Sequence, residues 1–174
     1  MRIRALALLA LFVLLGATLA SAAKINAQHD PSVDFSKIKT YRFKAGTGMP
    51  LNESLDRRLR SEIRIQLAKK GLTEITSEDQ PVDALVTFAA GSIDGLVPGF
   101  VAYQTGYYGS LWLVPGGVSH IAGGLIIEMG NPTTDKGMWA ASYIMTGTTP
   151  QAIQVMAKRA EKAVRGALGK YPPR

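Results

Sequence analysis

The sequence predicts an α+β domain, a two-layer sandwich in which two helices pack on one face of a mixed, mainly antiparallel sheet. Two stretches carry apolar residues at helical spacing, near residues 52–70 and 150–168. Around them lie short apolar or alternating runs separated by glycine, proline and asparagine turns, which is typical of strands. The chain has 174 residues, and the part that follows an apolar leader suits one domain with a single core.

The leader has the features of a secretory signal peptide. Two arginines precede an apolar run over residues 5–19, and the small residues Ala20-Ser21-Ala22-Ala23 follow it. The run is shorter than the roughly 20 apolar residues that a bilayer span requires. We therefore expect residues 1–23 to be a signal peptide, cleaved after Ala22 or Ala23, and residues 24–174 to form one α+β domain in the periplasm or cell envelope.

The composition excludes several kinds of site. The chain contains 0 Cys, which rules out disulfides, thiolate catalysis, cysteine metal sites and lipid attachment at a cysteine. Without the leader arginines the formal charge falls from +7 to +5. A modest positive charge is compatible with anionic lipid heads or cell-wall polymers, but we interpret it as a contribution to ordinary solubility.

The first half of the domain is organised around a turn and a strand. A short strand over residues 24–30 is followed by a turn in which Asp34 and Ser36 bond the local backbone and Phe35 anchors it, leading into a strand that ends at Phe43. The first helix is predicted from Asn52, its N-cap, to Lys70, where Gly71 ends it. Its buried stripe consists of Leu55, Leu59, Ile63 and Leu67.

The second half supplies the remaining strands and the second helix. Residues 72–75 form a short extended piece, and the run 82–90 is apolar on both faces, which indicates a central strand. Residues 125–129 and 138–146 predict an antiparallel hairpin. Thr149 caps the second helix with Pro150 at its first position, and Gly169 ends it. Its predicted buried stripe consists of Ile153, Met156, Ala157, Ala160, Val164, Ala167 and Leu168.

The interval from Gly95 to Gly124 is the most unusual part of the sequence, because it contains no Asp, Glu, Lys or Arg. We expect one or two short strands there, over residues 100–103 and 110–114, joined by glycine turns. Exposed aromatic rings in such an interval would form a binding surface, whereas rings folded onto the sheet would complete the core. The candidate binding residues are Phe100, Tyr103, Tyr107, Tyr108 and Trp112.

Several segments together resemble a known bacterial family. The most specific segment is the run Asp34-Phe35-Ser36-Lys37-Ile38-Lys39-Thr40-Tyr41. The other matching segments are Lys70-Gly71, Asp83-Ala84, the strand over residues 124–128 with its turn to Trp139, and Tyr171-Pro172-Pro173. The chain in this respect resembles the envelope proteins grouped as domain of unknown function 4136. The resemblance implies an exported α+β domain, often a lipoprotein, with no known catalytic residues. The lipid-attachment cysteine of the common pattern is missing here.

Hydrolytic and metal sites find little support in the sequence. A Ser-His-Asp set can be assembled only from Ser119 or Ser110 with His120 and Asp94, and adjacent strand residues point to opposite faces. No spacing links His29 to His120 as metal ligands, and the glycine pairs lack the lysine of a phosphate-binding loop. Glycoside hydrolysis would need two facing carboxylates, and the available pairs, Glu128 with Asp135 and Asp79 with Asp83, flank turns or strands.

We therefore expect a non-enzymatic envelope module that binds a protein or a surface polymer through residues 95–124, with no cofactor, metal or nucleic acid. A peripheral membrane contact is compatible with this expectation. The helix residues Arg57, Arg58, Arg60 and Arg64 are interpreted as a solvated face partly paired with acidic neighbours. The alternative is a hydrolase of envelope carbohydrate or peptide that uses His120 and Asp94.

Overall fold

The computed structural model describes residues 24–44, 53–91, 96–97, 101–104, 111–114, 119–146 and 152–173. These residues form nine strands, two α-helices and one 3-10 turn at Phe35–Lys37. The helices are α1 (Glu53–Ala68) and α2 (Ala152–Leu168). The strands are β1 (Lys24–His29), β2 (Thr40–Phe43), β3 (Thr73–Glu74), β4 (Ala84–Gly91), β5 (Leu96–Val97), β6 (Val101–Gln104), β7 (Leu111–Val114), β8 (Ser119–Gly130) and β9 (Gly137–Thr146).

Seven of the strands form one mixed sheet in the order β1-β9-β8-β4-β2-β3, and β5 pairs with the beginning of β8. Strand β2 is parallel to both β3 and β4, and the other pairs are antiparallel. Strands β6 and β7 form a separate two-stranded antiparallel sheet. The prediction of an α+β sandwich with a mixed, mainly antiparallel sheet is confirmed, and β4 is an internal strand, as its apolar faces indicated.

The core lies between the helices and one face of the sheet. The predicted stripe of α1, represented by Leu59 and Ile63, is buried, as are the α2 stripe residues Ala160, Val164, Ala167 and Leu168. The side chains of the other predicted stripe residues, Ile153, Met156 and Ala157, lie outside the described part of the chain. A Cβ at Gly166 would lie 2.8 Å from Cδ1 of Ile25, so this glycine allows α2 to approach β1 closely. The helices are also joined by a hydrogen bond of 3.0 Å from Nε of Arg165 to the buried Glu62.

The turn before β2 forms as predicted. The carboxylate of Asp34 accepts hydrogen bonds from the backbone N–H of Ser36 at 3.1 Å and from its hydroxyl at 2.6 Å, which caps the 3-10 turn. These bonds hold the pKa of Asp34 below its ordinary value. Phe35 packs edge-on against both His29 and Tyr171, with ring centroids 6.0 and 5.8 Å apart. The ring therefore ties the turn to β1 and to the end of the chain.

Several element boundaries differ from the sequence prediction or fall outside the described residues. Helix α1 ends at Ala68, and the left-handed Gly71 (φ 82°) closes the turn that follows. Strand β8 begins at Ser119, six residues before the predicted start at Leu125, because its first part pairs with β5 and β9. The predicted caps Asn52, Thr149 and Pro150 lie outside the described residues.

The sheet also buries side chains on the face that points away from the helices. Four residues of β4, β8 and β9 alternate with the core-facing residues of these strands, and each is at most 4% exposed. They are Thr87, Glu128, Ala140 and Ser142. Cross-strand pairing places Thr87 opposite Glu128 and Glu128 opposite Ala140. The central strands are therefore covered on both faces.

Candidate functional site

The aromatic interval contains the sequence-predicted binding residues, and the structure describes it in part. Tyr103 of β6 pairs directly with Trp112 of β7 in the separate two-stranded sheet. Phe100, Tyr107 and Tyr108 lie outside the described residues. The structure therefore brings two of the five predicted residues together in register.

The residues of the hydrolase alternative are placed only in part. Ser119 and His120 are consecutive residues of β8, and they pair with Val97 and Leu96 of β5. Asp94 and Ser110 lie outside the described residues. No step of a hydrolytic mechanism can be drawn from these positions.

The carboxylates that the sequence offered for acid–base chemistry have structural contacts. Asp83 accepts hydrogen bonds from the backbone N–H groups of Lys39 and Thr40 at 2.9 and 2.8 Å. Asp135 accepts a hydrogen bond of 2.6 Å from Nζ of Lys44. Glu128 is 2% exposed and accepts a hydrogen bond of 3.2 Å from the Thr87 hydroxyl. Glu128 and Asp135 thus have separate hydrogen-bond partners, Thr87 and Lys44.

A cavity of about 260 Å³ adjoins the buried Glu128. Pairing across β1, β9 and β8 places Gln28, Ala140 and Glu128 in one row, and all three line the cavity. The small side chain of Ala140 leaves space between the longer side chains on either side of it. The cavity is a consequence of register, which the sequence pattern did not reveal.

A second cavity, of about 500 Å³, lies where the ends of β2 and β3 meet α1. We call it the basic pocket, because four cationic side chains line it. Its lining includes Arg42, Phe43, Lys44, Arg60, Arg64 and Glu74. Phe43 faces Arg60 and Arg64, whose i, i+4 spacing puts both on one side of α1. Alternation along the strand turns Arg42, and Lys44 just after β2, to the other side, and all five residues line the cavity at this edge of the sheet.

Two guanidinium groups of the basic pocket stack on aromatic rings. The Cζ atom of Arg60 lies 5.0 Å from the ring centroids of both Phe43 and Phe88, and that of Arg64 lies 5.5 Å from the Phe43 centroid. Cation–π contacts at such distances favour a fixed orientation of each guanidinium. Phe43 and Phe88 themselves pack edge-on, with centroids 6.1 Å apart.

Carboxylates hold the same guanidinium groups from the side. Arg64 donates to both oxygens of Glu74, at 2.6 and 3.1 Å, and Arg60 donates to Asp56 at 2.7 Å. Hydrogen bonding to Glu74 raises the pKa of Arg64 above its ordinary value, so the group stays charged. These contacts make the cationic wall of the basic pocket rigid.

Arg42 is held differently. Its Nη1 donates to the backbone carbonyls of Ser77 and Gln80, at 2.6 and 3.2 Å. Among the residues that the structure describes, no carboxylate forms an ion pair with it. The sequence analysis assigned Arg60 and Arg64 to a solvated face and did not single out Arg42. The sequence signal that could have identified Arg42 is the cation–aromatic–cation run Arg42-Phe43-Lys44.

Membrane-spanning helices and metal-binding clusters are both absent from the described part of the chain. No helix there is long and apolar enough to cross a bilayer. No group of three or more His, Asp or Glu in the same residues is placed to hold a metal ion.

Comparison with known proteins gives a family and a fold. The model of a family described as "Domain of unknown function (DUF4136)" matches residues 25–173. A search of curated proteins finds no match.

A PDZ domain protein from Parabacteroides distasonis aligns with a TM-score of 0.58 and 15% identity, over 87% of this chain and 36% of that chain. The PelC dodecamer from Paraburkholderia phytofirmans aligns with a TM-score of 0.49 and 13% identity, over 84% and 95%. Only the first likeness is close enough to show a shared fold.

Proposed function

The chain belongs to the family of domain of unknown function 4136, and from this premise we propose that it is an exported cell-envelope module that binds a protein or surface polymer without catalysis. The leader over residues 1–23 supports export, because a charged start, an apolar run and a small-residue exit are what a signal peptide needs. Asp83 and Asp135, which the sequence offered for acid–base chemistry, accept hydrogen bonds within the fold.

The observation that carries the proposal is the separate sheet of β6 and β7. It lies within the interval that contains no charged residue, and it pairs Tyr103 with Trp112. A two-stranded sheet is marginal on its own in water, so it gains stability from a further surface. Tyrosine and tryptophan combine an apolar body with a polar tip, which suits contacts with a protein or a sugar polymer.

The proposal predicts that replacing Tyr107, Tyr108 and Trp112 together with Ser abolishes partner capture and leaves the melting temperature nearly unchanged. Capture would be measured in intact cells with a photoreactive group at Tyr103, and thermal unfolding would be measured on the purified protein. The matched core control is Tyr143→Ser, because Tyr143 is buried between the sheet and α2 and its loss should lower the melting temperature strongly.

A photoreactive group at Ile65, which is exposed on α1, serves as the crosslinking control and should capture no specific partner. If the triple variant melts as early as Tyr143→Ser, the rings belong to the core and the proposed surface is wrong. Turnover of cell-wall fragments by the purified protein, lost on His120→Ala, would favour the hydrolase alternative.

A further inference from the structure

We propose that the basic pocket binds a phosphate group, with Arg42 as the anchoring cation. The surface proposed above consists of aromatic residues in a different segment, so the test of this second site does not depend on whether that surface binds a partner. Arginine is well suited to phosphate, because its planar fork of N–H donors matches two phosphate oxygens at once.

The arrangement of charges around the basic pocket favours an anion inside it. Four cationic side chains line the cavity, against the two carboxylates of Glu74 and Glu78. Asp56 and Asp135, which pair with Arg60 and Lys44, are not part of the lining. The lining therefore carries more positive than negative charge. Three of its cations, Lys44, Arg60 and Arg64, are each paired with a carboxylate, and Glu74, the partner of Arg64, itself lines the cavity.

Arg42 is the group best prepared to bind an anion. The carbonyls of Ser77 and Gln80 fix its Nη1, and in the described part of the chain neither Nε nor Nη2 has a hydrogen-bond partner. The guanidinium is thus oriented by neutral acceptors that leave its charge uncompensated. A ligand that binds it pays little entropy to order the side chain, since the side chain is already held.

The direction of the cations favours phosphate over a simple carboxylate. Arg42 belongs to β2 and Lys44 follows its last residue, whereas Arg60 and Arg64 belong to α1, and all four line the cavity. A tetrahedral oxoanion presents oxygens in several directions and can be contacted from both elements. A ligand carboxylate has two oxygens in one plane, and Glu74 already occupies the fork of Arg64 in that manner.

The experiment compares Arg42→Gln with Arg58→Gln in the purified protein. Both changes remove one arginine charge, but Arg58 is an exposed residue of α1 that does not line the basic pocket. Binding of inorganic phosphate and of glycerol 3-phosphate would be measured by calorimetry at low ionic strength. We expect Arg42→Gln to weaken binding about tenfold, as for loss of a hydrogen bond to a charged group, and Arg58→Gln to leave it unchanged. Added sodium chloride should weaken binding to the unchanged protein.

A second measurement does not depend on whether Arg42→Gln folds. In the unchanged protein, phosphate should shift the Nε–H resonance of Arg42 in an NMR titration and leave that of Arg58 in place.

Vesicles of phosphatidylglycerol in phosphatidylcholine, compared with phosphatidylcholine alone, would show whether a lipid headgroup is the source of the phosphate. Absence of saturable binding to all three probes, or equal affinities of the two variants, would overturn the proposal.

Discussion

At the scale of single residues, Asp83 shows how one side chain joins two segments that are distant in sequence. Its Oδ2 accepts hydrogen bonds from the N–H groups of Lys39 and Thr40 and from the Thr40 hydroxyl, at 2.9, 2.8 and 2.8 Å. The N–H of Asp83 in turn donates to the Thr40 hydroxyl at 3.1 Å. These reciprocal bonds align the starts of β2 and β4, which then run parallel.

The same bonds make the stability dependent on pH. The backbone hydrogen bond from Lys39, followed by the Thr40 hydroxyl, holds the pKa of Asp83 below its ordinary value of 3.8. Because the folded protein prefers the ionised carboxylate, the stabilisation is complete above pH 3.8 and is lost as the pH falls through the lowered pKa. Because Asp83 is exposed and solvent screens its charge, Asp83→Asn should cost only about 1 kcal/mol at pH 7, and less at pH 3.

Urea unfolding of both proteins at pH 7, 5 and 3 would test this prediction, with the free energy of unfolding as the readout. Asp79→Asn is the control, since Asp79 is exposed in the turn before β4 and its loss should change the free energy by less than about 0.5 kcal/mol. A difference between Asp83→Asn and the unchanged protein that stays constant down to pH 3 would contradict the role given to the charge.

At the scale of elements, α1 shows how far sequence periodicity determines packing. Its apolar residues recur every three or four positions, and the predicted set is the buried one. The opposite side carries Ile65, which is 46% exposed, among charged residues. Periodicity is a local property, so the helix and its buried face could be predicted without knowledge of the partner elements.

The prediction for this element compares Leu59→Ala with Ile65→Ala. Leu59 is 0% exposed, so its truncation should leave a cavity and cost about 3 kcal/mol. Ile65→Ala removes a solvent-exposed side chain and should cost less than about 0.5 kcal/mol. Guanidinium unfolding curves would measure both. A cost below about 1 kcal/mol for Leu59→Ala would mean that α1 is not packed as described.

Strands were predicted less completely than helices, and β8 shows why. Its first six residues read Ser-His-Ile-Ala-Gly-Gly, which contain two glycines and one large apolar residue and no sustained alternation, so no local pattern distinguishes them from a loop. They are strand because β5 and β9 supply hydrogen-bond partners at Leu96, Val97, Thr146 and Met145. The length of this strand depends on pairing with distant residues rather than on its own sequence.

At the scale of the whole molecule, the predicted cleavage point lies directly before β1. Strand β1 starts at Lys24, so cleavage after Ala22 or Ala23 would keep the entire strand paired with β9. We predict that intact-mass analysis of the protein from the periplasmic or envelope fraction finds a chain that begins at Ala23 or Lys24. The exported protein should be unlipidated, because it has 0 Cys.

The control for export is a variant with Leu14→Arg and Leu15→Arg, which interrupts the apolar run of the leader and should block export. A chain that stays in the cytosol with residues 1–23 intact, in the absence of these changes, would contradict the predicted location. That result would not change the assignment of the fold to residues 24–173, because the assignment depends on the family match and on the packed core.

The sequence by itself determined the class of the domain, the two helices, the buried stripe of α1, the buried stripe of α2 from Ala160 onward, the capped turn at Asp34 and the hairpin of β8 and β9. These features depend on periodicity, capping and turn chemistry, all of which act between residues close together in the chain. It also pointed to the uncharged aromatic interval as a candidate surface.

Only the tertiary structure decided that β1 lies at one edge beside β9, that β2 runs parallel to β4, and that Arg42 meets Arg60 and Arg64 around one cavity. Arg42 and Arg64 come from different elements, and no spacing rule links them. Their meeting follows from which strands pair and where a helix crosses. The packing of the whole chain settles those choices, because burial and hydrogen bonding must be satisfied in all elements at once.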